Sequence, residues 1–142
     1  MDNIKSFSLD HDKITPGFYC LGEMHNVYTY DLRFKYPNGG DYLSYAAIHS
    51  IEHLFATVIR NSSIKADVIY FGPMGCRTGC YLLLYGIKED EAKKVTIECF
   101  EKCLELDYVP GSEKKQCGNY QEHDLEGAKR EIKAYLEVLK NC

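Results

Sequence analysis

Between Val27 and Lys35 the chain alternates, with Tyr28, Tyr30, Leu32 and Phe34 on one side and Thr29, Asp31, Arg33 and Lys35 on the other. Period-two alternation predicts a strand with one face against a core. After the turn signal Pro37-Asn38-Gly39-Gly40, the spacing changes. Leu43, Ala47, Ile51, Leu54, Phe55 and Val58 recur at helical intervals, predicting a largely buried helix from Leu43 to Ile59. The apolar run Asp67 to Phe71 and the segment Cys80 to Tyr85 read as two further strands either side of the Gly72-Pro73-Met74-Gly75 turn. A helix beginning at Glu89-Asp90-Glu91 runs to about Leu106, its acidic first turn complementing the helix dipole. The last helix starts near the N-cap residue Asp124 and reaches about Leu139, with Leu125, Ala128, Ile132, Tyr135 and Leu136 on one face. Strands and helices interleave unevenly, so the expected class is α+β, with an antiparallel sheet packed against helices.

No linker, repeat or low-complexity stretch divides the 142 residues, and a single domain over 1–142 is expected. With 17 Lys+Arg against 21 Asp+Glu and no basic cluster, the chain is a poor match to nucleic acid or to an anionic membrane surface. Seven cysteines without a paired CxxC spacing, and an N-terminus without leader character, point to a reducing cytoplasm. There, thiols are free for metal binding or catalysis.

The most informative segment is His49-Ser50-Ile51-Glu52-His53, on the predicted central helix. Residues four apart lie one turn above each other, so both imidazoles can reach one metal ion, and Glu52 borders the same face. Such a trio also occurs on solvated helices, but apolar residues flank this one on both sides. A catalytic site of this type takes three protein ligands and keeps one position open. Cys117, in the loop Lys114-Lys115-Gln116-Cys117-Gly118, is a candidate for the third, its basic neighbours favouring a thiolate. A second cluster, Gly72 to Gly79, presents Cys76 on a glycine-rich loop beside Arg77, where it could move protons. Ser6 and His11 stand out less.

These pieces together resemble the S-ribosylhomocysteine lyases, which make the autoinducer-2 precursor. The resemblance rests on Ser6-Phe7-Ser8-Leu9-Asp10-His11, Asp31-Leu32-Arg33-Phe34, His49 to Leu54, Pro73 to Gly79, Lys115 to Gly118 and His123-Asp124-Leu125-Glu126-Gly127-Ala128-Lys129-Arg130. Six segments in family order span nearly the whole chain. The resemblance implies a homodimer with shared active sites, and one divalent metal per subunit held by His49, His53 and Cys117. That metal is Fe(II) in many members, replaceable by zinc or cobalt. It also implies Cys76 and Glu52 as catalytic residues, and Ser6, His11 and Arg33 as substrate positioners. The implied reaction cleaves S-ribosylhomocysteine to homocysteine and 4,5-dihydroxypentane-2,3-dione, by successive proton shifts and β-elimination of the thiol. Two departures stand against the family pattern. Tyr70-Phe71-Gly72 replaces a usual Asp-Ile-Ser, and the stretch from Cys20 to Asp31 is short, with Thr29 where a basic residue is common. The rival readings are an inverted-motif (HxxEH) zinc peptidase and a non-catalytic metal-binding relative.

Overall fold

A computed structural model describes all 142 residues. Four strands, β1 (Gly17–Met24), β2 (Val27–Arg33), β3 (Val68–Pro73) and β4 (Gly79–Tyr85), form one sheet in the order β1-β2-β4-β3, with every neighbouring pair antiparallel. Helices α1 (Tyr45–Ile59), α2 (Glu89–Cys103) and α3 (Leu125–Lys140) complete the α+β fold. The alternation read in β2 is realised on its apolar side, where Tyr30 and Leu32 are fully buried and pair with Leu82 and Cys80 of β4. From α1, Ile51, Leu54 and Phe55 pack onto this inner face in the same core, and the Phe55 and Phe71 rings lie 4.4 Å apart. Phe34 stacks on Tyr135 of α3 at 4.0 Å. The Tyr135 hydroxyl donates to the Gly17 carbonyl at 2.9 Å, tying α3 to β1.

The opposite side of β2 departs from the expectation of a solvated polar face. Asp31 and Arg33 are 0 % and 1 % exposed, joined by a 2.5 Å ion pair, and the Arg33 Nη1 also donates to the Thr78 hydroxyl at 2.7 Å. Alternation reports that two faces differ in polarity; it does not report which one meets water.

Element ends follow from local chemistry. Helix α1 begins at Tyr45, two residues later than the spacing suggests, because the Ser44 side chain caps it, accepting from the Ala47 N–H at 3.1 Å. Leu43 is drawn off instead by the Arg77 carbonyl, to which its N–H donates at 2.9 Å. Asp124 caps α3 as expected, accepting from the Gly127 N–H at 2.9 Å. Helix α2 stops at Cys103 rather than Leu106, and the chain tightens there, with the Leu106 N–H donating to the Cys103 carbonyl at 3.3 Å. Strand β1 and the short 3-10 turns Lys5–Ser8 and Lys65–Asp67 have no counterpart in the sequence reading. No helix is long and apolar enough to cross a membrane.

All seven cysteines are free. Burial pushes the Cys99 thiol up to about 11 and the Cys103 thiol up to about 12, and fully buried Cys80 is raised further. Iodoacetamide at pH 8, read by peptide mass mapping, should therefore label exposed Cys20, Cys76 and Cys142 and spare Cys80, Cys99 and Cys103 until the chain unfolds.

Candidate metal centre

Helix α1 brings His49 and His53 onto one face, as the four-residue spacing requires. Two stretches of the α2–α3 connection close on them. The His49 Nδ1 lies 2.8 Å from the Glu122 carbonyl and the His53 Nδ1 lies 2.9 Å from the Pro110 carbonyl. A carbonyl only accepts, so each Nδ1 carries its ring proton and each Nε2 presents a lone pair inward. Gly111 makes the second contact possible. Its φ of 69° is left-handed, and a Cβ there would lie 3.3 Å from the His53 ring nitrogen.

Cys117 enters from the loop before α3, its Sγ 3.4 Å from the His49 Nε2 and 4.0 Å from the His53 Nε2. A fourth donor, not among those expected from sequence, is His123, whose Nε2 lies 3.6 Å from the same sulfur. The four donor atoms all fall within 4.8 Å of one another. Two imidazole nitrogens and a thiolate at such separations form a donor set suited to a borderline divalent ion. His123 is half-buried; burial, then neighbouring His49 and His53, hold its pKa below the ordinary histidine value. The available signals for it were a histidine directly before the N-cap of α3 and six residues after Cys117.

Glu52 and His53 line a cavity of about 370 Å³ bordered by Tyr70, Pro110 and Gln116. Cys76 is exposed on its loop, and its Sγ lies 3.0 Å from the Thr78 hydroxyl. That hydroxyl accepts from the Arg33 Nη1 at 2.7 Å, which leaves its own hydrogen free for the sulfur. Arg33, expected at the substrate, is buried and touches the Cys76 loop through Thr78. The Asp31 Oδ1 and Arg33 Nε have no protein partner. Arg77, at a left-handed φ of 60°, donates to the Leu43 carbonyl at 3.0 Å and stacks over the Tyr45 ring at 4.4 Å. It thus clamps the Cys76 loop to the start of the helix that carries the histidines.

Ser6 lies elsewhere within the same chain. It borders a cavity of about 530 Å³ on the outer face of the sheet, with Leu21, Thr29, Tyr70, Tyr81 and Leu83, opposite the face that α1 covers. His11 is half-buried, its Nδ1 2.9 Å from the Leu9 carbonyl. Tyr70 and Gly72, the two ends of the departing run in β3, form one packing unit. The Tyr70 ring folds over Gly72, so that a Cβ at 72 would collide with the Tyr70 hydroxyl.

The family model described as S-ribosylhomocysteinase (LuxS) matches residues 4–142. A curated S-ribosylhomocysteine lyase of Borreliella afzelii (strain PKo) is 43 % identical over 99 % of this chain and 94 % of its own length. The enzyme of the same name from Finegoldia magna is also 43 % identical, again over 99 % of this chain and 94 % of its own length. That of Borreliella burgdorferi (strain ZS7) is 41 % identical over the same shares.

Proposed function

The chain belongs to the S-ribosylhomocysteinase (LuxS) family, and on that premise we propose how its residues divide the work of cleaving S-ribosylhomocysteine to homocysteine and 4,5-dihydroxypentane-2,3-dione. It is a carbon–sulfur lyase of a metal-dependent family. The observation that supports our site assignment most directly is the convergence of the His49 and His53 Nε2 atoms on the Cys117 sulfur. These three residues hold one divalent ion, Fe(II) in our reading, with zinc or cobalt able to take its place. When bound, such an ion supplies Lewis-acid polarisation of the substrate's carbonyl.

The chain's own residues then handle protons. Moving a carbonyl along a sugar requires a proton to leave one carbon and return to its neighbour. In the final elimination, a carbon α to the carbonyl loses a proton, and the C–S electron pair departs with sulfur, which is protonated as homocysteine. Cys76 and Glu52 are the proton carriers. Glu52 faces the cavity beside His53, and Cys76 is exposed on a loop that Arg77 fastens to α1. Arg33 orients Cys76 through the Thr78 hydroxyl, while Ser6 and His11 position substrate. The peptidase reading calls for a carboxylate as third ligand, whereas here a cysteine sulfur faces the two histidines. Cobalt-loaded protein should therefore show a thiolate-to-cobalt charge-transfer band; its absence would remove Cys117 from the ligand set.

The placement of Ser6 across the sheet from α1 supports a two-fold dimer in which the N-terminal segment serves the partner's site. Phe7, Met24, Tyr70 and Tyr85 supply exposed apolar surface for such packing, at 69 %, 71 %, 50 % and 48 % exposure. Inactive His11→Ala protein mixed with inactive Cys76→Ala protein under subunit exchange should regain activity, because one pocket of each heterodimer keeps both residues. No recovery, with exchange confirmed by mass spectrometry, would place His11 in the site of its own chain. Bacterial relatives and reduced thiols are consistent with a cytoplasmic location.

A further inference from the structure

His123 stands beside three groups already assigned to the metal, and its orientation separates it from them. Its Nδ1 lies 3.0 Å from the Ser50 Oγ, on the helix that carries His49 and His53. Ser50 is fully buried, and its oxygen accepts from the Asp124 N–H at 2.9 Å. The Ser50 hydroxyl hydrogen has one acceptor within reach, the His123 Nδ1. That nitrogen then accepts, and the ring proton sits on Nε2. In His49 and His53 the facing groups are carbonyls, which enforce the opposite tautomer. One serine hydroxyl in place of a carbonyl thus turns an inward lone pair into an inward N–H.

Ring packing leads to the same division. Two imidazoles bound to one tetrahedral ion, each with its nitrogen about 2 Å from the metal, hold their ring centres roughly 5 Å apart. The His49–His53 and His53–His123 pairs, at 4.8 and 4.9 Å, fit that spacing. His49 and His123 do not: their rings stack at 3.9 Å with an interplanar angle of 24°. Both cannot bind the same tetrahedral ion.

We propose that His123 is a positioning residue, not a fourth ligand: its Nε2–H donates a hydrogen bond to the Cys117 thiolate, and Ser50 sets the tautomer that makes this possible. The inference rests on the ligand set proposed above. An N–H directed at a metal-bound sulfur withdraws electron density from it, orients it, and so tunes the ion that the thiolate holds.

Long-range 1H–15N correlation on zinc-loaded, 15N-labelled protein reads the tautomers directly. The expected result is a metal-bound Nε2 with protonated Nδ1 for His49 and His53, and a protonated Nε2 with unprotonated Nδ1 for His123. A metal-bound His123 Nε2 would overturn the inference while leaving a metal centre in place. Zinc-insensitive His49 and His53 would instead defeat the ligand set beneath it. In cobalt-loaded protein, His123→Ala should keep one cobalt per chain and shift the thiolate charge-transfer band to longer wavelength. His123→Gln, which restores an N–H donor, should bring it back towards the parent position. An unshifted band in His123→Ala would also overturn the proposal.

Discussion

Cys117→Ala, His49→Ala and His53→Ala should each purify without tightly held metal, whereas the parent chain should carry one equivalent. Each variant removes one of the three inward donors that meet at the Cys117 sulfur, separated from it by 3.4 Å for His49 and 4.0 Å for His53. An outer-shell partner of a metal ligand typically accounts for about 10- to 100-fold in metal affinity, and losing a ligand should cost more than that. The check is metal per chain by elemental analysis after dialysis against a weak chelator. One equivalent surviving in Cys117→Ala would mean that the thiolate has been assigned to the wrong role. The fold should survive these changes, because the core built from Leu54, Phe55, Tyr30 and Leu82 lies on the other side of α1.

Cys76→Ala and Glu52→Gln should behave in the opposite way, retaining metal and losing turnover. Neither side chain belongs to the cluster of four donors, and each is proposed above as a proton carrier. General acid and base groups contribute roughly 10²–10⁴-fold, so kcat should fall by that order in each variant with metal content unchanged. Turnover within about tenfold of the parent would remove that residue from proton transfer. Loss of metal from Glu52→Gln would make the carboxylate a ligand instead.

What could be read from the sequence tracks how local each signal is. The pair His49 and His53 is visible because helical geometry alone makes i and i+4 neighbours, and α1 announces itself through its apolar spacing. The capped start of α3 is equally local, with Asp124 one position before Leu125. Strand β1 escaped notice because Gly17 and Gly22 interrupt its pattern and a register shift between Cys20 and Gly22 breaks the alternation that marks a strand. The burial of Asp31 and Arg33 was invisible for a different reason. The contact that holds Arg33 from outside the strand comes from Thr78, 45 positions downstream, and nothing in β2 itself encodes it. His123 was present in the sequence as one member of a longer matching segment. Its significance lies in contacts with Ser50, His49 and Cys117 that only the tertiary structure creates. The pairing of Tyr70 with Gly72 is of the same kind. Two residues of the run that departs from the family pattern prove to be a ring and the space it occupies.

The central claim is that this chain, loaded with a divalent ion, breaks the carbon–sulfur bond of S-ribosylhomocysteine. Anaerobically purified protein incubated with that substrate should release homocysteine, titrated as free thiol, in many equivalents per chain. Release should cease when a chelator strips the metal and resume when Fe(II) is restored. Protein carrying one full equivalent of metal that liberates no thiol above the uncatalysed rate would contradict the account.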